Sequence, residues 1–199
     1  MRSNMTTTRQ LPTQVPAKKH ALIQRLLLLV LVALLAWPTG LRAGSALQRE
    51  YEIKAAYLYN FINYIDWPAD ALPPAGGTIT IGIVGENPFG EALGPLNGKQ
   101  IKGRKLVVKQ ITDAKDMAQC QIVFISASEK QRVAELLEKI KGARILTVSE
   151  IEGFAARGGI INFISEQNKV RFEINPDAAR GLGLTISSDL LKLAKIVKS

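Results

Sequence analysis

The sequence predicts an α/β domain in which helices flank a mostly parallel sheet, followed by a C-terminal antiparallel hairpin and terminal helices. Between residues 78 and 148, short apolar runs alternate with helical patterns, as in strands joined by right-handed helical crossovers. The pattern then changes, because only three residues separate the apolar runs Gly159–Ser165 and Lys169–Ile174. So short a connection predicts an antiparallel hairpin.

The first predicted element is an aromatic helix, Tyr51–Trp67, which holds six of the twelve aromatic residues of the chain. At about 100° per residue its polar residues form one narrow stripe, so more than one side must be buried. Lys54 projects from the apolar arc, and Trp67 before Pro68 should end the helix. Either this is a central core helix past which Lys54 reaches solvent, or one face binds a second copy or a partner. The residues predicted for such an interface are Tyr51, Lys54, Tyr57, Phe61 and Tyr64.

Four runs are predicted as the parallel strands, and the near-continuous apolar character of the first suits a strand covered on both faces. They are Thr78–Val84, Leu106–Ile111, Gln121–Ile125 and Ile145–Val148. After the hairpin, Asn175 is predicted to cap a short helix. Ser187 or Ser188 should cap a last helix that extends to Val197.

Residues 1–46 have the three-part layout of a secretory signal peptide. A basic segment precedes the apolar run Leu26–Trp37, and small residues follow, with cleavage expected after Ala46 or Ala43. The apolar run has twelve residues, whereas a membrane span usually needs about 18. We therefore expect export and cleavage, with retention as a membrane anchor as the alternative. The mature chain, residues 47–199, would have 153 residues (199 minus 46), enough for a single domain.

Removal of this segment changes how the net charge of +9 is interpreted. Six of the 26 basic residues and none of the 17 acidic residues precede Leu47, so the mature chain carries 20 basic residues and a net charge of +3. The excess of basic over acidic residues therefore lies mainly in the targeting segment. It does not predict a nucleic-acid partner.

The mature chain lacks the residues that most hydrolases and metal sites need. His20, the only histidine, lies in the predicted signal peptide, which excludes Ser-His-Asp and Cys-His nucleophiles and histidine-ligated zinc. Cys120 is the only cysteine and is interpreted as a core thiol, so an intramolecular disulfide is also excluded. Glu150 and Glu152 are interpreted as part of a helix start capped by Ser149. The sequence predicts no catalytic residue, no metal ligand and no cofactor.

A small-ligand site is predicted only from general sheet geometry. Ligands of open α/β sheets bind beyond the carboxyl ends of the strands. Glu86 and Asn87 follow the first strand and Ser126 follows the third, so these are the candidate ligand residues. The surrounding glycines lack the spacing of nucleotide-binding loops.

Four segments of the chain resemble the YfiR/HmsC-like family of periplasmic proteins. They are YEIKAAYLYNFINYIDWP at residues 51–68, CQIVFIS at 120–126, ILTVSE with GGIINF within 145–163, and KVRFEINPDAARGLGLTISSDLLKLAKIV at 169–197. The resemblance implies a small periplasmic regulator that restrains a membrane-bound diguanylate cyclase, lowers cyclic di-GMP signalling and so controls biofilm formation. On this basis we expect the partner to be the periplasmic domain of the cyclase. We also expect the chain to form a homodimer.

A second function stays open at this point. The same exported domain could be a periplasmic small-ligand binding module that serves another membrane receptor or transporter. The two hypotheses differ in what the free protein should contain, because a ligand module should hold a metabolite and a protein inhibitor should be empty.

Overall fold

The computed structural model describes residues 40–198, with side chains from residue 46 onward. Most of the predicted signal peptide, residues 1–39, lies outside the described residues. The chain divides into two compact units between Ala43 and Gly44. The second unit, Gly44–Ser199, contains the elements described below. Within residues 40–198, no helix is both long and apolar enough to cross a bilayer.

The helices are α1 (Gly40–Tyr64), α2 (Val133–Lys139), α3 (Pro176–Gly181) and α4 (Ser188–Leu193). The strands are β1 (Ile65–Asp66), β2 (Thr78–Val84), β3 (Gln100–Ile101), β4 (Arg104–Ile111), β5 (Ile122–Ile125), β6 (Leu146–Ser149), β7 (Ile161–Glu166), β8 (Lys169–Ile174), β9 (Thr185–Ile186) and β10 (Lys195–Ile196). Short 3₁₀ turns occupy Gly90–Leu96, Ala114–Gln119, Ala127–Arg132 and Ala155–Arg157.

Eight strands form one sheet in the order β10-β8-β7-β6-β5-β2-β4-β3. From β4 through β2, β5 and β6 to β7, each neighbouring pair is parallel. β8 then runs antiparallel to β7. The predicted α/β class, with a mostly parallel sheet and a C-terminal hairpin, is confirmed.

The hairpin extends beyond the carboxyl edge of the parallel strands. Val148, near the end of β6, pairs with Ile161 at the start of β7, so the rest of β7 continues past β6. Glu166 pairs with Lys169, which leaves a two-residue turn. Both turn residues, Gln167 and Asn168, have positive φ angles of 51° and 58°. Such a turn matches the right-handed twist of the two strands.

Two predicted helix ends were wrong, and in both cases pairing with a strand is the reason. α1 stops at Tyr64, because the next two residues pair with β9 through Ile65 and Ile186. α4 stops at Leu193, because the chain then enters the sheet edge as β10 beside β8. The predicted starts of α3 and α4 are correct, since the side chains of Asn175 and Ser187 accept hydrogen bonds from backbone N–H groups within the next helix.

The sheet has an apolar layer on each face. α1 packs on one layer and contributes Leu58, Phe61 and Ile62. α2 packs on the other and contributes Val133 and Leu136. The amino-terminal half of α1 reaches the carboxyl edge of the parallel strands, since Tyr51 contacts Glu150 directly after β6.

Candidate functional site

A buried ion pair joins α1 to the end of β6. Lys54 Nζ lies 2.7 Å from Glu150 Oε2 and 2.6 Å from Glu50 Oε1. The hydroxyl of Tyr51 donates to Glu150 Oε1 at 3.1 Å. The ammonium of Lys54 also lies 4.5 Å from the centre of the Tyr51 ring, within cation–π range. We call these four residues the Lys54 cluster.

The electrostatics of the Lys54 cluster keep its tyrosine neutral. Burial raises the pKa of the Tyr51 hydroxyl above its ordinary value, and the negative charge of Glu150 raises it further. Tyr51 therefore remains a hydrogen-bond donor to Glu150 at neutral pH. The side chain of Lys54 is only 7% exposed, so its charge is neutralised inside the protein and does not reach solvent.

Sequence reasoning missed the role of Glu150. No capped helix begins at Ser149, because its hydroxyl donates to the carbonyl of Ile125 at 2.7 Å and accepts from Ile151 N at 3.1 Å. Glu150 is thus free to point at α1. A lysine within the apolar arc of a core helix was the available signal, since a buried ammonium requires a nearby carboxylate.

The remaining predicted interface residues differ in accessibility. Phe61 is fully buried, and Tyr57 is partly buried beside it with ring centres 5.9 Å apart. Both rings pack on Phe172, at 5.3 Å for Tyr57 and 5.4 Å for Phe61. Tyr64, in contrast, is 41% exposed. The prediction of a self-association surface therefore depends on Tyr64 and its exposed neighbours, and it stays a prediction.

The three predicted ligand residues differ in accessibility. Glu86 and Asn87 are exposed, whereas Ser126 is buried. The backbone N–H of Glu86 donates to Ser128 Oγ at 2.9 Å, and Asn87 Oδ1 accepts from Phe89 N at 3.0 Å. The buried ring of Phe89 then stacks edge-on against Phe124 of β5, at 4.8 Å between ring centres. A ligand site at these three residues stays a prediction.

A different cleft lies beside Glu150, between the segment after β6 and the β7/β8 hairpin. Its volume is about 490 Å³. The polar residues that line it are Glu150, Glu152, Asn162, Ser165, Glu173 and Lys195. The sequence did not predict this cleft, because its walls come from four chain segments that only the sheet order brings together.

Cys120 is a buried free thiol, as predicted. Burial raises its pKa to about 11, so the thiol remains protonated at neutral pH. Among the described residues there is also no group of three or more His, Cys, Asp or Glu that could hold a metal ion.

The fold defines the class of protein as an α/β domain with a mostly parallel sheet, and the Lys54 cluster lies at the carboxyl edge of that sheet. A family model described as YfiR/HmsC-like matches residues 51–195, and the chain belongs to this family. Membership supports a periplasmic regulator as the kind of protein.

The solved structures that resemble the chain show the fold alone. A conserved domain protein from Vibrio cholerae is 14% identical with a TM-score of 0.52, over 74% of this chain and 60% of that one. The chain thus spans 60% of that protein's length. A search of curated proteins gave no match to the chain.

Two further solved structures have lower scores. An ABC domain in complex with L-Trp from Streptococcus pneumonia has a TM-score of 0.44 at 12% identity, over 64% of this chain and 57% of that one. A ligand-free substrate binding protein with adhesive properties from Clostridium difficile has a TM-score of 0.43 at 14% identity, over 63% and 56%. At these scores the likeness carries no information about function.

Proposed function

We propose that this protein is a periplasmic regulator that binds the periplasmic part of a membrane-bound diguanylate cyclase and restrains it. Its binding would lower cyclic di-GMP signalling and so limit biofilm formation. The support is membership of the YfiR/HmsC-like family over residues 51–195. The proposal includes removal of residues 1–46 as a signal peptide, one domain at 47–199, and a homodimer.

The observation that favours a binding surface is an exposed stripe on one side of α1 that carries two large apolar residues, with Asn60 between them. Ile53 is 48% exposed and Tyr64 is 41% exposed. They are eleven positions apart in the chain, so at about 100° per residue both lie on the same side of the helix. Exposed large apolar side chains that share one helix face are typical of an interface.

The Lys54 cluster would hold this stripe in place. Lys54 lies one residue after Ile53, and its ion pair to Glu150 connects that turn of α1 to the sheet. The aromatic contacts of Tyr57 and Phe61 with Phe172 connect the next turns. A helix anchored at both points presents its outer face rigidly, which lowers the entropic cost of binding.

The test is a pull-down of the mature chain, residues 47–199, against membrane extract from its own host, with bound proteins identified by mass. We expect a diguanylate cyclase to be recovered by the wild-type chain and lost with Ile53→Glu. Leu193→Glu is a matched control, because Leu193 is an exposed apolar residue on α4 and is 65% exposed. Equal recovery with both variants would contradict an α1 interface, and recovery of no cyclase would contradict the proposal.

The alternative is a periplasmic small-ligand binding module for another receptor or transporter. The observation that favours it is the cleft of about 490 Å³ beside Glu150, because its volume suits a small molecule. Native mass spectrometry of the freshly purified protein separates the two functions. Detection of a bound metabolite, together with recovery of no cyclase in the pull-down, would favour the ligand module.

A further inference from the structure

A row of polar residues crosses four strands at one register. Ser149 of β6 pairs with Asn162 of β7, which pairs with Glu173 of β8, which pairs with Lys195 of β10. Residues paired in register project from the same face of a sheet. The last three of these side chains line the cleft beside Glu150. The row therefore forms a polar floor for the cleft.

Asn162 stands out in this row because its amide is buried without a partner. The residue is 1% exposed, and among the described residues its Oδ1 has no hydrogen-bond partner. Such an atom destabilises the folded state.

Asn175 shows what a buried structural asparagine looks like in the same protein. It is fully buried, its Nδ2 donates to the carbonyl of Ala155 at 2.9 Å, and its Oδ1 accepts from Ala178 N at 3.0 Å. Both of its polar atoms are satisfied. Asn162 therefore differs from a purely structural residue, and a ligand in the cleft would supply the missing partner.

The charges around the cleft indicate the chemistry of that ligand. Three glutamates and one lysine line it, and Glu150 is already paired with Lys54. Lys195 donates to one oxygen of Glu173 at 3.0 Å, and Glu152 forms no ion pair with any described residue. A positively charged ligand is therefore favoured. The described acidic residues do not form a group that could hold a metal ion, which favours an organic cation.

We propose that this cleft binds a small organic cation with several N–H donors, such as an aliphatic amine or a guanidinium compound. Its N–H groups would reach the Asn162 amide and the carboxylates, and its apolar part would contact Ile164 and Val197, which also line the cleft. The volume of about 490 Å³ falls within the range of small-molecule sites, roughly 300 to 1,000 Å³. The binding is independent of the cyclase partner.

Calorimetric titration of the purified protein with agmatine, which carries one amine and one guanidinium, tests the proposal. We expect agmatine to bind saturably in a one-to-one ratio. The neutral diol 1,4-butanediol should not bind. Glu152→Gln should weaken agmatine binding about tenfold or more, because a charge-assisted hydrogen bond is lost. Glu138→Gln is the matched control, since Glu138 is an exposed glutamate on α2 away from the cleft. No heat with agmatine, or equal affinity for the diol, would overturn the proposal.

Asn162→Leu separates a binding role from a structural one. The leucine removes the unpaired polar atom at similar volume, so this variant should melt at a higher temperature and lose agmatine binding. Asn175→Leu should melt at a lower temperature, because it leaves the Ala155 carbonyl and the Ala178 N–H unpaired. Agmatine binding retained by Asn162→Leu would contradict the site. If Asn162→Leu does not fold, the affinity of Glu152→Gln decides, and an unchanged affinity overturns the proposal.

Discussion

Lys54 Nζ lies 2.7 Å from Glu150 Oε2, which connects the fourth turn of α1 to the residue that follows β6. Ninety-six positions separate the two residues in the chain. The pair therefore joins the first element of the domain to the centre of its sheet. An ammonium that looked out of place on an apolar helix face is paired inside the protein.

Breaking this pair should destabilise the fold. Lys54→Met leaves Glu150 partly buried without its counter-charge, so we expect a loss of about 3 kcal/mol in the free energy of unfolding. The double variant Lys54→Met with Glu150→Leu should recover most of that loss. Lys141→Met is the control, because its pair with Glu138 is exposed and should change stability by less than about 0.5 kcal/mol. Urea denaturation measures all four chains, and an unchanged midpoint for Lys54→Met would contradict this role.

The aromatic contacts under α1 should contribute more to the free energy of unfolding than the exposed residues of its stripe do. Phe61→Ala removes a fully buried ring that packs on Phe163 and Phe172, and it should cost roughly 3 to 5 kcal/mol. Tyr64→Ala removes an exposed ring and should cost less than about 1 kcal/mol. Thermal unfolding compares the two. Similar losses would mean that the burial of α1 differs from the one described.

Gly159, within the GGIINF segment, should not tolerate a side chain. A methyl group there would overlap the ring of Phe154, and that ring is fully buried. Because the ring has little room to move, Gly159→Ala should cost about 1 to 3 kcal/mol. Gly94→Ala is the matched control, since nothing lies within 4 Å of its added methyl group. Equal melting temperatures for the two variants would contradict the close contact.

Stability should fall at alkaline pH. Burial raises the pKa of Cys120 from 9.0 to about 11, and burial with the charge of Glu150 raises that of Tyr51 above 10.0. The unfolded chain therefore loses these protons at lower pH than the folded chain, so stability declines as pH rises from about 9 to 11. Urea midpoints at pH 7, 9 and 10.5 measure this decline. Cys120→Ala and Tyr51→Phe should each make it shallower, and a decline unchanged in both variants would contradict the assignment.

The sequence predicted the elements whose pattern is local. The four parallel strands, the hairpin and the caps at Asn175 and Ser187 follow from apolar runs and nearby polar residues. The ends of α1 and α4 could not be predicted, because they depend on pairing with β9 and β8, which lie far away in the chain.

The candidate site was less predictable for the same reason. The sequence showed that Lys54 is unusual. Its partner Glu150 can be identified only from the position of α1 over the end of β6. The ligand rule pointed to Glu86, Asn87 and Ser126, whereas the cleft of about 490 Å³ lies beside Glu150. The polar row through Asn162 depends on strand register, which the sequence does not reveal.

The most direct test of the proposed regulation is the level of cyclic di-GMP in host cells that lack this protein. Cells would be complemented with the wild-type chain, with Ile53→Glu, or with the Leu193→Glu control, after equal periplasmic amounts have been verified. We expect deletion to raise the level, and the wild-type chain and Leu193→Glu to lower it again, whereas Ile53→Glu should not. An unchanged level on deletion would contradict the account.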